Sequence, residues 1–166
     1  YGGNRFSEDI DVYINKNLKK IGLFFKNLER IGFSIEKKKI GTNSLFSKLH
    51  INRIEVRFEA LFMEISGSLT EYETIEGTFI TVYSLTPEEL INEKIETYLK
   101  RFKVRDLYDV FFLLRYVKDE DKIRIKAKKL IKEFKKPVDE SELKILLLEG
   151  IVPDYKKMLD YIKNKI

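Results

Sequence analysis

The sequence predicts an α+β protein in which a mixed sheet with flanking helices precedes a C-terminal helical bundle. Up to about residue 85 the apolar residues mostly follow strand-like alternation, and beyond it they recur at the three- and four-residue steps of helices. The 166-residue chain is 43% hydrophobic with 12 Phe and 9 Tyr, which is enough for a filled core. We therefore expect a sheet subdomain over 1–85 and a helical subdomain over 86–166.

The first half reads as strands around one helix. Apolar and polar residues alternate over 10–14, as in a half-buried strand, and helical spacing from Leu18 to Ile31 predicts an amphipathic helix that ends at Gly32. Segments rich in Phe, Ile, Val and Thr then predict further strands, over Phe33–Ile40, Leu45–Ile51, Arg53–Ile65 and Thr78–Tyr83. Gly-containing turns separate most of them, so a mixed or antiparallel sheet is the expected product.

The second half reads as helices. Thr86 is followed by Pro87 and, three residues after the threonine, by Glu89, which is the pattern of a capped helix start. Helical spacing of apolar residues predicts the further helices, over Leu107–Val117, Ile123–Phe134 before Pro137, Leu143–Leu148 and Tyr155–Ile166.

Composition excludes several kinds of site. The chain has no cysteine, and His50 is its only histidine, so thiolate chemistry, disulfides and multi-histidine metal sites are excluded. No apolar run is long enough for a membrane span, and we expect a cytoplasmic protein with no membrane partner. The net charge of +5 permits binding of polyphosphate or nucleic acid, but we interpret the lysine-rich runs Glu36–Lys39 and Lys126–Lys136 as solvated faces, either of which could steer an RNA acceptor.

Two acidic residues on the first strand are the sharpest local feature. Asp9 and Asp11 are two residues apart, so on a strand they share one face with their Cα atoms roughly 7 Å apart. Such a pair fits a solvated strand edge, but it also fits a site for Mg²⁺ (or Mn²⁺), which binds carboxylate, water and phosphate oxygens. Metal held in this way supports phosphoryl or nucleotidyl transfer.

Two sequence motifs carry a family resemblance. The segment 2–10 reads GGNRFSEDI and is followed by Asp11, and a second segment has Glu93-Lys94-Ile95 and then RFKVRDLYD over 101–109. Together they resemble the RFSEDID and EK…R-x-K-x-R-D-x-Y-D motifs of the AbiEii/AbiGii-toxin-like nucleotidyltransferases, in the polymerase-β superfamily. The similarity extends over residues 2 to about 115.

This resemblance implies a nucleotidyltransferase fold, Mg²⁺ or Mn²⁺ as cofactor, NTP as substrate and, in some members, the toxin half of a toxin–antitoxin pair with an antitoxin partner. The family's Gly-Gly or Gly-Ser phosphate-binding turn normally lies further from the acidic pair than Gly3 does from Asp9. We therefore interpret Gly2-Gly3 as a later turn and expect the phosphate-binding turn upstream of Tyr1, which would leave the chain as given catalytically incomplete.

A third carboxylate is expected on a neighbouring strand. Glu55, Glu59 and Glu64 are all flanked by apolar residues and remain candidates. The segment Phe62–Ser66 resembles an IEIS strand of the family, which favours Glu64 as the third catalytic and metal-binding acid beside Asp9 and Asp11.

The second motif supplies the other candidates. Lys94 and Arg101 are seven residues apart and so lie on one helix face, where they would bind the triphosphate or balance the acids, unless they are simply solvated. The resemblance adds a catalytic role for Lys94 and Asp106 and cofactor-binding roles for further residues, namely Ser7, Lys94, Arg101, Lys103, Arg105 and Asp109. A purely structural role for Asp106 and Asp109 fits equally well, with Asp106 in the first turn of a helix and Arg105 pairing with Asp109 at i and i+4.

The leading hypothesis is an enzyme that transfers NMP from an NTP to an RNA such as tRNA, to a protein hydroxyl or to a small molecule. The alternative is a catalytically inert module of the same fold that binds RNA or a protein partner. A helical interaction protein without a site is a third interpretation, and the strands before residue 85 argue against it.

Overall fold

The computed structural model describes residues 5–7, 9–74 and 76–166. They form two units, one over Ser7–Ser66 and the other from Arg5 and Phe6 together with Gly67–Ile166. We call the first the sheet unit and the second the helical unit. The expected boundary near residue 85 differs from this division, because the strands between 67 and 85 belong to the helical unit.

The sheet unit has four strands and one helix. Its elements are β1 (Asp9–Ile14), α1 (Leu18–Arg30), β2 (Ser34–Ile40), β3 (Ser44–Ile51) and β4 (Ile54–Phe62). The strand order is β1-β4-β3-β2, with β1 parallel to β4 and the other neighbours antiparallel. The predicted mixed sheet is thereby confirmed.

One face of this sheet forms the core with α1. Asn17 caps the helix by accepting a hydrogen bond from the Lys20 N–H, and Gly32 takes a positive φ of 100° just after the helix ends. The apolar stripe of the helix packs on alternate strand residues, and the buried members of this core are Ile21, Phe25, Leu45, Leu49 and Ala60. Because side chains alternate along a strand, the residues between them lie on the opposite face, which we call the polar face.

The helical unit begins with a hairpin of β5 (Ser68–Glu73) and β6 (Phe79–Ser84). Five helices follow in the described residues: α2 (Pro87–Arg101), α3 (Val104–Leu113), α4 (Asp121–Glu133), α5 (Leu143–Leu146) and α6 (Tyr155–Asn164), with 3₁₀ turns at Leu114–Tyr116 and Glu140–Glu142. Their shared core includes the fully buried Ile91, Ile95, Leu107, Leu130 and Met158. The predicted α+β class, with a helical C-terminal part, is confirmed.

The helix starts follow sequence signals. Thr86 accepts a hydrogen bond from the Glu89 N–H while the Glu89 carboxylate accepts one from the Thr86 N–H, so the predicted capping box is confirmed. The start of α3 is capped from elsewhere in the chain, because Asp139 accepts a hydrogen bond of 2.7 Å from the Val104 N–H. α2 ends at Phe102 in the left-handed region, at φ 52°.

Several expected bounds are corrected. Strand β5 was not expected, since no strand was predicted between the segments Arg53–Ile65 and Thr78–Tyr83. The strand expected over Arg53–Ile65 ends at Phe62, where its pairing with β1 ends at Ile14. The helix expected over Leu143–Leu148 is the single turn α5, preceded by a 3₁₀ turn.

No helix among the described residues is long and apolar enough to cross a membrane.

Candidate functional site

Asp9 and Asp11 lie on the polar face of the sheet unit. β1 is an edge strand, and its register with β4 places Asp9 beside Arg57 and Asp11 beside Glu59. The apolar partners on the other face, Val12 and Ile14, pack on the core and so fix which way the two carboxylates point. Asp9 and Asp11 therefore lie on the same face of β1, as their spacing predicts.

The environments of the two acids differ. Asp11 is exposed, whereas the Asp9 side chain is 29% exposed and its Oδ1 is buried with no hydrogen-bond partner among the described residues. Arg57 Nη1 lies 3.5 Å from this oxygen, close enough for electrostatic attraction but without the direction of a hydrogen bond. A buried carboxylate oxygen without a hydrogen bond costs free energy, so a further cation or hydrogen-bond donor at this atom would stabilise it.

The sheet register separates the three candidates for the third carboxylate. Glu59 is half-buried and lies directly beside Asp11, across the parallel β1–β4 pair. Glu55 lies two residues earlier on the same face, exposed, with Lys48 Nζ at 2.9 Å. Glu64 is exposed and follows the end of β4 by two residues, after the β1–β4 ladder has ended at the Ile14–Phe62 pair, and the preference for Glu64 stays a prediction.

A cluster of three charges joins the two sequence motifs inside the helical unit. Arg5 donates two hydrogen bonds to the Asp109 carboxylate, from Nε to Oδ1 at 2.6 Å and from Nη2 to Oδ2 at 2.8 Å. Lys94 on α2 places its Nζ 2.9 Å from the same Oδ2. The side chains of Arg5 and Asp109 are only 16% and 14% exposed, so the pair is largely withdrawn from water. We call Arg5, Lys94 and Asp109 the charge cluster.

These contacts shift the pKa values of Arg5 and Asp109. Burial alone would raise the pKa of Asp109, but the hydrogen bond from Arg5 and the positive charge of Lys94 outweigh it and lower that pKa below its usual value. The hydrogen bond to Asp109 raises the pKa of Arg5 above its usual value against the opposing effect of burial. The ionised carboxylate of Asp109 thus lies between two basic side chains, Arg5 and Lys94, and the cluster contains one more cation than anion.

The other residues of the second motif form structural contacts. Asp106 is fully buried in the first turn of α3, and Arg101 donates to both of its oxygens, at 2.7 and 2.8 Å. Lys103 lies 3.3 Å from Asp139, the residue that caps α3. The predicted Asp106 position is confirmed, and its contacts support the structural interpretation.

One expected pairing is corrected. Arg105 was expected to pair with Asp109, but the partners of Asp109 are Arg5 and Lys94, which approach from outside α3. The Arg5 guanidinium binds both oxygens of Asp109. The sequence did contain an indication of the Arg5–Asp109 pair, because these residues are the charged ends of two motifs that occur together.

Some predicted positions are less informative. Ser7 precedes β1 and is exposed. The interpretation of Gly2-Gly3 as a turn lies outside the described residues, as does Glu8. His50, the only histidine, lies on β3 with Glu36 and Glu55 around Lys48 on the polar face.

The family assignment follows from comparison with family models. Residues 1–164 match the model described as Nucleotidyl transferase AbiEii toxin, Type IV TA system. The chain belongs to this family. The match to the AbiEii family confirms the resemblance drawn from the two motifs, and it extends beyond residue 115 to include the C-terminal helices, which carry only a general helical pattern in sequence. No curated protein matches the sequence.

Proposed function

We propose that this AbiEii-family protein transfers a nucleoside monophosphate from an NTP to an acceptor, with Mg²⁺ or Mn²⁺ held by Asp9 and Asp11. The observation that carries the proposal is the buried Asp9 Oδ1 without a hydrogen bond, beside a second carboxylate on the same face. The family's description as a nucleotidyl transferase supplies the class of reaction.

The residues present fit a hard divalent cation. Asp9, Asp11 and Glu59 offer only carboxylate oxygens, which are the ligands that Mg²⁺ and Mn²⁺ prefer over nitrogen or sulfur. A cation at Asp9 Oδ1 would satisfy the oxygen that Arg57 leaves without a hydrogen bond. When bound, such a cation polarises phosphate oxygens and favours deprotonation of an attacking hydroxyl.

The chain's own residues would orient the substrates. The β1–β4 register fixes Asp9, Asp11 and Glu59 on a rigid sheet rather than on a loop, which favours accurate placement of a triphosphate. In the helical unit, taken by itself, Lys94 is a candidate for contact with an anion, because the charge cluster has a net positive charge and the Lys94 side chain is 31% exposed. The contacts of Arg101 and Lys103 with Asp106 and Asp139 favour roles in holding α3 for these two cations.

The acceptor belongs to the proposal as well. RNA such as tRNA, a protein hydroxyl and a small molecule are the three classes to be distinguished. Because the family is that of a type IV toxin–antitoxin system, we propose a toxin with an antitoxin partner encoded with it.

A transfer assay tests the proposal. The protein is incubated with Mg²⁺ and each of four NTPs labelled at the α-phosphate, together with total RNA, a protein extract or small-molecule metabolites. We expect label in one acceptor class, and at least a hundredfold less with Asp9→Asn/Asp11→Asn, since even residues that only support a metal ligand contribute about 10–100-fold. The matched control is Glu71→Gln/Glu73→Gln, which removes two exposed acids at the same spacing on β5.

The outcomes separate the hypotheses. Transfer that survives in Asp9→Asn/Asp11→Asn would overturn the metal-binding role of the pair. Absence of transfer to every acceptor class, with wild-type binding of NTP retained, would favour the inert module instead. If the Glu71→Gln/Glu73→Gln control loses as much transfer as Asp9→Asn/Asp11→Asn, then the loss of transfer follows from removing any two strand acids and not from the acidic pair itself.

A further inference from the structure

The polar face of the sheet changes in charge from one edge to the other. The registers place residues side by side across all four strands in two rows, Asp9–Arg57–Lys48–Lys37 and Asp11–Glu59–Phe46–Lys39. Carboxylates lie at the β1 end of both rows, and lysines lie at the β2 end. The two ends therefore suit ligand groups of opposite charge.

The cations in the middle of the sheet are already neutralised. Lys48 Nζ lies 2.9 Å from Glu55 and 3.2 Å from Glu36, and the hydrogen bonds that it donates, the one to Glu55 foremost, raise the pKa of Lys48. Arg57 lies within 3.5 Å of carboxylate oxygens of both Asp9 and Glu55. A phosphate would have to compete with these acids for either cation.

The lysines at the β2 end have no such partner. Within residues 5–7, 9–74 and 76–166, neither Lys37 nor Lys39 forms an ion pair, and both line an open pocket of about 380 Å³ together with Gly41, Ser44 and Phe46. The Lys37 ammonium lies over the Phe46 ring, 5.6 Å from its centroid. The pocket thus combines two uncompensated cations, a hydroxyl and an aromatic ring.

The turn that closes this pocket is held in place. Gly41 donates a backbone hydrogen bond of 2.8 Å to the Ser44 carbonyl, and Lys16 donates to the carbonyls of Gly41 and Thr42, at 3.0 Å each. The β2–β3 connection is therefore fixed both by its own backbone hydrogen bond and by Lys16, which lies just before α1. A ligand in the pocket would meet a largely preformed wall.

We infer that Phe46, Lys37 and Lys39 form a nucleotide subsite, in which the base stacks on the Phe46 ring and the phosphate binds the two lysines. An aromatic ring flanked by cations binds a ligand that has both a flat base and a phosphate. Any base can stack on the ring, and the lysines neutralise the phosphate. Lys37 already shows that the ring face accepts a cation, and a base would replace it there.

This inference rests on the proposed function and deepens it. Phe46 lies two strands from Asp11 in the same row, a separation of roughly 10 Å at the usual strand spacing. One nucleotide with its base over Phe46 and its phosphate on the two lysines can therefore extend its 3′ hydroxyl end toward the acidic pair. The donor NTP and a nucleotide of an RNA acceptor share this chemistry, and the test distinguishes them.

Binding is measured without metal, so that Asp9 and Asp11 do not contribute through a cation. In EDTA, the Kd of the full chain is determined for ATP, inorganic triphosphate and a four-nucleotide single-stranded RNA, by displacement of a fluorescent nucleotide and by calorimetry. The variants are Phe46→Leu, Phe46→Tyr and Lys37→Gln/Lys39→Gln. The control Lys19→Gln/Lys26→Gln removes two exposed charges from α1, in the other layer of the same unit.

We expect Phe46→Leu to weaken nucleotide binding about fivefold or more while leaving inorganic triphosphate unchanged, because only the nucleotide has a base to stack. Lys37→Gln/Lys39→Gln should weaken all three probes, and Phe46→Tyr should bind as the wild type does. A larger effect on ATP than on RNA assigns the subsite to the donor, and the reverse assigns it to the acceptor.

The inference is overturned if the wild type binds neither ATP nor RNA without metal, if Phe46→Leu and Phe46→Tyr bind alike, or if the α1 control loses as much affinity as the Lys37/Lys39 variant. Thermal melting of each variant shows whether it is folded. Failure of the proposed function is a separate result. It is seen when binding still depends on Phe46, but either no nucleotide is transferred or Asp9→Asn/Asp11→Asn transfers it as well as the wild type.

Discussion

Arg5 donates hydrogen bonds from Nε and Nη2 to the two carboxylate oxygens of Asp109, 104 residues further along the chain. The same segment is held by its backbone, because Arg5 forms a β-bridge with Leu147 and the Phe6 N–H donates to the Leu146 carbonyl at 2.8 Å. The residues that lead into the acidic strand are thus docked on the helical unit by the side chain and the main chain together.

The Arg5–Asp109 pair should contribute measurably to stability. Arg5→Gln should lower the free energy of unfolding by about 2–3 kcal/mol, somewhat less than the usual cost of breaking a buried ion pair because Lys94 still compensates Asp109. The free energy of unfolding of Arg5→Lys should lie between those of the wild type and Arg5→Gln, because lysine keeps the positive charge but cannot donate two parallel hydrogen bonds as arginine does. Urea unfolding monitored by circular dichroism measures these differences.

The control for this prediction is Arg124→Gln, which breaks an exposed pair with Asp121 and should cost less than about 1 kcal/mol. If Arg5→Gln proves as mild as Arg124→Gln, the docking of the N-terminal segment by its side chain is not a stabilising feature.

Asp109 predicts a particular dependence of stability on pH. Its pKa is lower in the folded protein than the ordinary 3.8, so its ionised form stabilises the fold fully above pH 3.8, and this contribution is lost as the pH falls through the folded-state pKa. Asp109→Asn has no such titration. The difference in unfolding free energy between wild type and Asp109→Asn should be constant from about pH 7 down to pH 4 and should shrink below that.

Urea unfolding at several pH values measures this difference. A gap between the two proteins that widens as the solution becomes more acidic would have the wrong sign and would refute the assignment of a lowered pKa to Asp109.

The identity of the third carboxylate is a further prediction. Glu59 is supported by the register and Glu64 by its segment's resemblance to the family motif, so the matched variants Glu59→Gln and Glu64→Gln decide between them. We expect Glu59→Gln to reduce the rate of nucleotidyl transfer by at least about tenfold and Glu64→Gln to leave it within about threefold, as a metal ligand contributes more than an exposed acid. The initial rate of label transfer is the measurement, and the opposite ranking would restore Glu64.

Much of the fold was predictable because its signals are local. The Thr86–Glu89 cap, the apolar stripe of α1 and the alternation in β1 all act within a few residues, so spacing alone reveals them. Strand β5 was missed because its exposed Leu69 and Tyr72 lack an apolar core face that would show as alternation. The hairpin is set by pairing with β6, which is not a local signal.

The candidate site was predictable only in part for the same reason. The spacing of Asp9 and Asp11 on a strand is local, and so is the place of Asp106 in the first turn of α3. The position of Glu59 beside Asp11 depends on the register between strands almost 50 residues apart, and the Arg5–Asp109 pair depends on tertiary docking. Spacing in the sequence cannot reveal either contact.

Cation binding by Asp9 and Asp11 underlies the proposed function, and a Mn²⁺ titration followed by electron paramagnetic resonance tests it directly. The wild type and the Glu71→Gln/Glu73→Gln control should bind Mn²⁺ alike, more tightly when an NTP is present, and Asp9→Asn/Asp11→Asn should bind it at least about a hundredfold more weakly. Unchanged Mn²⁺ affinity in a folded Asp9→Asn/Asp11→Asn protein would contradict the account.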